Sequence, residues 1–198
     1  RQLPVGMLPI SDTATEILDI AQELTQKRGF NAFSYADISA RIGIKKASIH
    51  YHFPSKTDLG IQLIKRYSDV FGAKLNELES KNTDPVKNLK GYINLYKQTL
   101  SDDRMCLCGM LASDVSTMPA EINQHLEEFF FENEQWLTTV LKTGLEQGLF
   151  SFRGNPVEQA QFVLSSVQGA LLLSRAVKSE TKFNNITGEL LKNLLVTK

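Results

Sequence analysis

The sequence predicts an all-α fold: a small N-terminal helix-turn-helix unit followed by a larger helical bundle. Three observations predict it. Apolar residues recur at three- and four-residue spacing along most of the chain, as in Val86, Leu89, Ile93, Tyr96 and Leu100. Capping boxes, in which a hydroxyl and a carboxylate satisfy the first free N–H groups of a helix, stand at Thr13 with Glu16, Ser34 with Asp37 and Ser55 with Asp58. Alternation of the strand type is confined to residues 149–152, too short to build a sheet.

In chain order, residues 1–11 hold Pro4, Gly6 and Pro9 without periodicity and read as a flexible arm, either a plain terminus or an arm reaching a DNA minor groove. Thr13 opens a helix to Arg28 with Ile17, Leu18, Ala21 and Leu24 as its buried stripe, stopped by Gly29. Ser34 opens a short helix carrying Ile38 and Ile42, and Gly43 stops it. A second short helix spans residues 46–53 and ends at Pro54, because the residue before a proline is pushed out of helical geometry. Ser55 opens a linking helix over about residues 56–80. Helices follow over residues 86–100, 119–147, 156–177 and 183–196. The division is an arm at 1–11, a helix-turn-helix domain at 12–58 and a body at 59–198.

Two short helices around a glycine-bearing turn form the motif whose second helix enters the DNA major groove. Ile49 and Phe53, four apart, anchor that helix, leaving Lys45, Lys46, Ser48, His50, Tyr51 and His52 for contact. Ser34 and Tyr35, at the start of the preceding helix, join this DNA-facing set. Lys56 is expected on a phosphate, because a cation in a first helical turn opposes the helix dipole unless an anion lies nearby. Between residues 41 and 66, Arg41, Lys45, Lys46, Lys56, Lys65 and Arg66 face the single acid Asp58. The whole chain has zero formal charge, so this excess is a local footprint for phosphate. Acids collect later, from Asp102 to Glu134, as expected of a body held away from the duplex.

At these residues the chain resembles the N-terminal domain of TetR/AcrR-type transcriptional regulators. Ile17-Leu18-Asp19, Gly29-Phe30, Ser34 through Ser39, Gly43-Ile44 and residues 46–59 carry the resemblance. Lys45 stands where the family often caps the recognition helix with serine or threonine, and Ala47 replaces its usual glycine. The resemblance implies a repressor binding a palindromic double-stranded DNA operator. It implies a homodimer formed through the last two long helices, and release by a small-molecule effector held in the body. Tyr92, Tyr96, Met105, Met110, His125, Phe129, Trp136 and Gln168 are the body residues offered as effector lining, suited to an apolar or aromatic molecule.

Cys106 and Cys108 are too few and too close for a secreted disulfide framework, which predicts a cytoplasmic protein. They are read as structural, with a redox- or electrophile-sensing regulator as the alternative; with His125 they fall short of a zinc pattern. No apolar run is long enough for a membrane span, and no cofactor fingerprint or metal cluster is expected. A helical enzyme, or an adaptor without specific DNA binding, is the reading from a different class. With three histidines, two of them in the reader helix, and no nucleophile elbow or P-loop, the chain gives it little material.

Overall fold

A computed structural model describes residues 12–196; the arm expected over residues 1–11 lies outside them. The described residues form α1 (Asp12–Arg28), α2 (Tyr35–Ile42), α3 (Lys46–His52), α4 (Lys56–Lys81), α5 (Pro85–Ser101), α6 (Leu107–Ser113), α7 (Ala120–Glu146), α8 (Pro156–Ala176) and α9 (Glu180–Leu194). Both boxes of the reader region form as expected. Ser34 and Asp37 cap α2 reciprocally, and Ser55 and Asp58 cap α4. Asn155 and Glu158 do the same for α8, with Pro156 at its first position, where the missing N–H costs nothing.

The head is α1 to α3 closed by the start of α4. Ile17, Leu18, Ala21, Ile38, Ile49, Leu59 and Leu63 form its core, all buried. The body packs α7 against α4, α5 and α8, with α9 against α8. At its centre Phe71, Tyr92, Tyr96 and Phe129 meet edge-on or tilted, with centroids from 5.3 Å (Tyr92 to Tyr96) to 6.1 Å (Phe71 to Tyr92). Such pairs add to the free energy of burying the rings. Gly60 on α4 lets head and body close together: a Cβ there would meet Ile122 of α7 at 2.9 Å and Phe30 at 3.0 Å.

The sequence reading needs four corrections. Thr13 already lies inside α1, so its box with Glu16 does not mark the helix start. α6 was not expected; Cys106 precedes it and Cys108 lies within it. α9 begins at Glu180, three residues early, because the Ser179 side chain caps it through Lys182 N–H. The alternating residues 149–152, dismissed as too short, form a bridge: Phe150 pairs antiparallel with Leu195, and Ser151 N–H donates to Leu194 O at 2.8 Å. Two residues suffice because Phe150 is buried against Gly144. Among the described residues no helix is long and apolar enough to cross a membrane.

Candidate functional site

The reader is built by burying one side of α3. Ile49 is fully buried and Phe53 nearly so, which turns Lys45, Lys46, Ser48, His50 and Tyr51 outward; His52 is half-buried. Tyr51 is 84 % exposed, its ring meeting only the edge of His52 at 5.1 Å among the described residues. Gly43, at φ +82°, ends α2 in the left-handed conformation, where its N–H donates to Ser39 O. Ser39 Oγ also donates to Ile44 O at 2.6 Å, fixing the turn between the two helices. Lys45 is exposed and caps α3 without a side-chain hydrogen bond, and Ser48 N–H closes the first turn on Lys45 O at 2.9 Å.

Tyr35, Lys56 and Ser34 of the expected DNA-facing set are engaged within the head. Tyr35 is buried, and its hydroxyl lies 2.8 Å from Phe53 O and 2.6 Å from Ser55 O, with one proton to share between them. Burial, then the Asp58 carboxylate, pushes this hydroxyl up to about 12. Lys56 turns inward instead of toward a phosphate. Its ammonium donates to Phe30 O at 2.6 Å and to Phe33 O, and sits 4.8 Å and 4.4 Å from the centres of those two rings. Carbonyls and ring faces thus supply the negative environment that was assigned to phosphate. Burial lowers its pKa, with Asp37 opposing. Ser34 is exposed, but its hydroxyl serves the Asp37 box; hydrogen bonds to the Asp37 carboxyl from the Ser34 N–H first, then from the Ser34 hydroxyl, hold it below the usual range.

The basic excess is also smaller than the sequence suggests. Arg41 pairs with Glu23 at 3.0 Å and Arg66 with Asp19, both across to α1. Lys45 and Lys46 remain exposed with no carboxylate partner among the described residues. His50 keeps its ring against Tyr35 at 4.8 Å, with Nδ1 3.2 Å from Pro54 O, so Nε2 is its outward nitrogen.

In the body, the offered lining residues do not converge on one site. Met105, Met110 and Gln168 come together with Gly109, Phe130 and Leu172 around an open, largely apolar cleft of about 550 Å³ between α6, α7 and α8. Glu134 stands at it as a carboxylate, and Gln168 Nε2 is buried without a hydrogen-bond partner. Tyr92 and Tyr96 are core, their rings packed on one another, while Phe129 packs on Phe71 and, with His125, borders a separate open cleft of about 680 Å³ against α4. Trp136 stacks on Tyr92 at 5.6 Å, and His125 pairs with Glu128 on the surface of α7. Cys106 and Cys108 are free and buried, and burial, then the neighbouring Cys106, pushes the Cys108 thiol well up. Gly109 and Phe130 escaped the sequence reading: a glycine beside two cysteines carries no periodic signal, and Phe130 sits among the stripe of α7.

The outer face of α8 and the residue after it are apolar: Phe162, Leu172 and Leu173 on the helix, and Val177 just past its end, are all more than half exposed. Gly169 on the same helix meets nothing within 4 Å of an added Cβ, so packing inside the chain does not demand it. Beside α8, Phe162 and Ile186 border a shallow groove against α9.

Residues 17–63 match the family model described as bacterial regulatory proteins of the tetR family. The fold is similar to that of a TetR-family transcriptional regulator from Agrobacterium tumefaciens, at 35% identity over 92% of this chain and 97% of that one, with a TM-score of 0.89. A TetR regulator from Legionella pneumophila is similar at 34% identity over 94% of this chain and 100% of that one, with a TM-score of 0.84. In sequence, the HTH-type transcriptional repressor NemR of Escherichia coli (strain K12) is 22% identical over 94% of this chain and 95% of its own.

Proposed function

The chain belongs to the TetR family of transcriptional regulators, and from that premise we propose that it is a cytoplasmic repressor that binds a near-palindromic operator as a homodimer. The single observation that carries this reading is the outward face of α3, where Lys45, Lys46, Ser48 and Tyr51 project from a helix anchored by Ile49. In that role Lys45 and Lys46 take backbone phosphates, while Ser48, Tyr51 and His52 read base edges. Two such helices related by a two-fold axis meet successive major-groove faces. The apolar face of α8 with its α9 groove supports the dimer, because a large exposed apolar patch marks an interaction surface.

The cleft bordered by Met105, Met110 and Gln168 takes the effector in this reading. Its walls favour an apolar or aromatic molecule, and Glu134 admits a cationic group on it. A ligand shifts DNA affinity only if it binds one arrangement of the head better than the other. The means are at hand, because Met105 is hydrogen-bonded to Gln26 on α1 and Met110 reaches the turn at Gly29.

The test is fluorescence anisotropy with two labelled duplexes, one from upstream of the chain's own gene and one of random sequence, over a range of salt. Tighter binding to the upstream duplex, with a steep salt slope on both, is expected. Equal binding to both contradicts an operator-specific regulator.

A further inference from the structure

A second cleft, of about 220 Å³, lies where head meets body, between α1, α4, α5 and the loop that precedes α6. Its character is unlike that of the apolar cleft. Arg66, Lys74 and Arg104 line it against the single carboxylate Asp102. Two guanidinium nitrogens, Arg66 Nη1 and Arg104 Nε, are buried without a hydrogen-bond partner. A buried donor with no acceptor is costly, and buried arginine N–H groups are ordinarily paired. Two other arginines have carboxylate partners: Arg41 with Glu23 and Arg175 with Asp103. Asp19 already takes Arg66 Nη2, so the acceptor missing at Nη1 is additional to that ion pair.

The rest of the lining narrows the chemistry. Tyr67, Phe71 and Leu95 give the cleft an apolar wall. Its volume is below the roughly 300–1,000 Å³ of sites for drug-sized ligands. Polar residues of the head complete it. Gln22 and Gln26 are linked to each other at 3.4 Å, and Gln26 is held to Met105 O at 2.9 Å. We propose that this cleft binds a small organic acid, its carboxylate held by Arg66 and Arg104 and its apolar body against Tyr67, Phe71 and Leu95. A guanidinium fork matches a carboxylate in geometry as well as charge. This second ligand site is independent of the apolar cleft and of the DNA reading, and either of those can fail without it.

The test is isothermal titration calorimetry on the full chain with benzoate, phenylacetate and hexanoate as probes, benzamide as a neutral isostere and inorganic phosphate as a bare anion. At least one carboxylate binds, benzamide binds about tenfold more weakly or worse, and Arg104→Gln weakens the carboxylate by about tenfold or more. Should Arg104→Gln not fold, the arginine Nε–H resonances of the unaltered chain give the same reading: the carboxylate shifts at least one and benzamide none. The proposal is overturned by no heat with any of the three carboxylates, by equal binding of benzamide, by phosphate outbinding all three, or by full affinity in a folded Arg104→Gln.

Discussion

Gln26 and Met105 exchange two hydrogen bonds: Met105 N–H donates to Gln26 O at 3.0 Å, and Gln26 Nε2 donates to Met105 O at 2.9 Å. Both residues are buried, so this pair ties the end of α1 in the head to the loop bordering the apolar cleft in the body. Nearby, Arg175 of α8 donates to Lys27 O at 2.6 Å, where a cation also meets the carbonyl end of the α1 dipole. The head is thereby fastened to two body elements at one point. Gln26→Leu keeps the volume but leaves Met105 O without its side-chain donor, and is expected to lose about 1–3 kcal/mol in denaturant unfolding. Unchanged stability would show that the Gln26 side-chain bond does not help hold head to body.

Lys56 separates a structural from a DNA-contacting role. With its ammonium spent on Phe30 O and Phe33 O, Lys56→Met is expected to destabilise the head. The salt slope of DNA binding should stay as in the original chain, because no phosphate contact is removed. A shallower slope in a fully folded variant would return Lys56 to the phosphates.

Tyr35 gives the head an alkaline limit. Its hydroxyl ionises near 10 when unfolded and near 12 when folded, so the folded chain holds the proton more tightly. The stability it contributes is complete below about pH 10 and is lost as pH rises toward about 12. Tyr35→Phe should cost stability at neutral pH, and the loss relative to the original chain should shrink across that window. A parallel offset at every pH contradicts the assignment.

Gly144 and Gly72 make a contrasting pair. A Cβ at Gly144 would come 2.1 Å from Phe150 Cδ2, whereas one at Gly72 meets nothing within 4 Å. Gly144→Ala should therefore lose about 1–3 kcal/mol, as overpacking does. Gly72→Ala, inside α4, should gain about 0.5–1 kcal/mol from its helix preference. Thermal melts read both, and equal effects would contradict the packing at Phe150.

Much of this was legible in the sequence, and the reasons differ by element. The ends of α2, α3 and α4 follow from chemistry acting within a few residues: the Ser34 and Ser55 boxes, Gly43 and Pro54. The inward turn of Lys56 was not legible, since the carbonyls that take its ammonium lie 23 and 26 residues earlier in the chain. Nor did charge counting reveal that Arg41 and Arg66 were occupied, because Glu23 and Asp19 come from another helix. In the body, an aromatic residue at helical spacing suits a core or a cleft equally. Only packing separates Tyr92 and Tyr96 from Met105, Met110 and Gln168. The short bridge at Phe150 escaped notice because its partner, Leu195, is remote in sequence.

The claim that α3 presents its Lys46 face to DNA is tested most directly by the salt dependence of Lys46→Gln. Lys46 is exposed and has no ion-pair partner among the described residues, so the variant should fold as the original chain does. Binding to upstream and random duplexes should weaken alike, and the slope of log affinity against log salt should fall by about one for each α3 engaged. An unchanged slope and unchanged affinity on both duplexes would contradict the account.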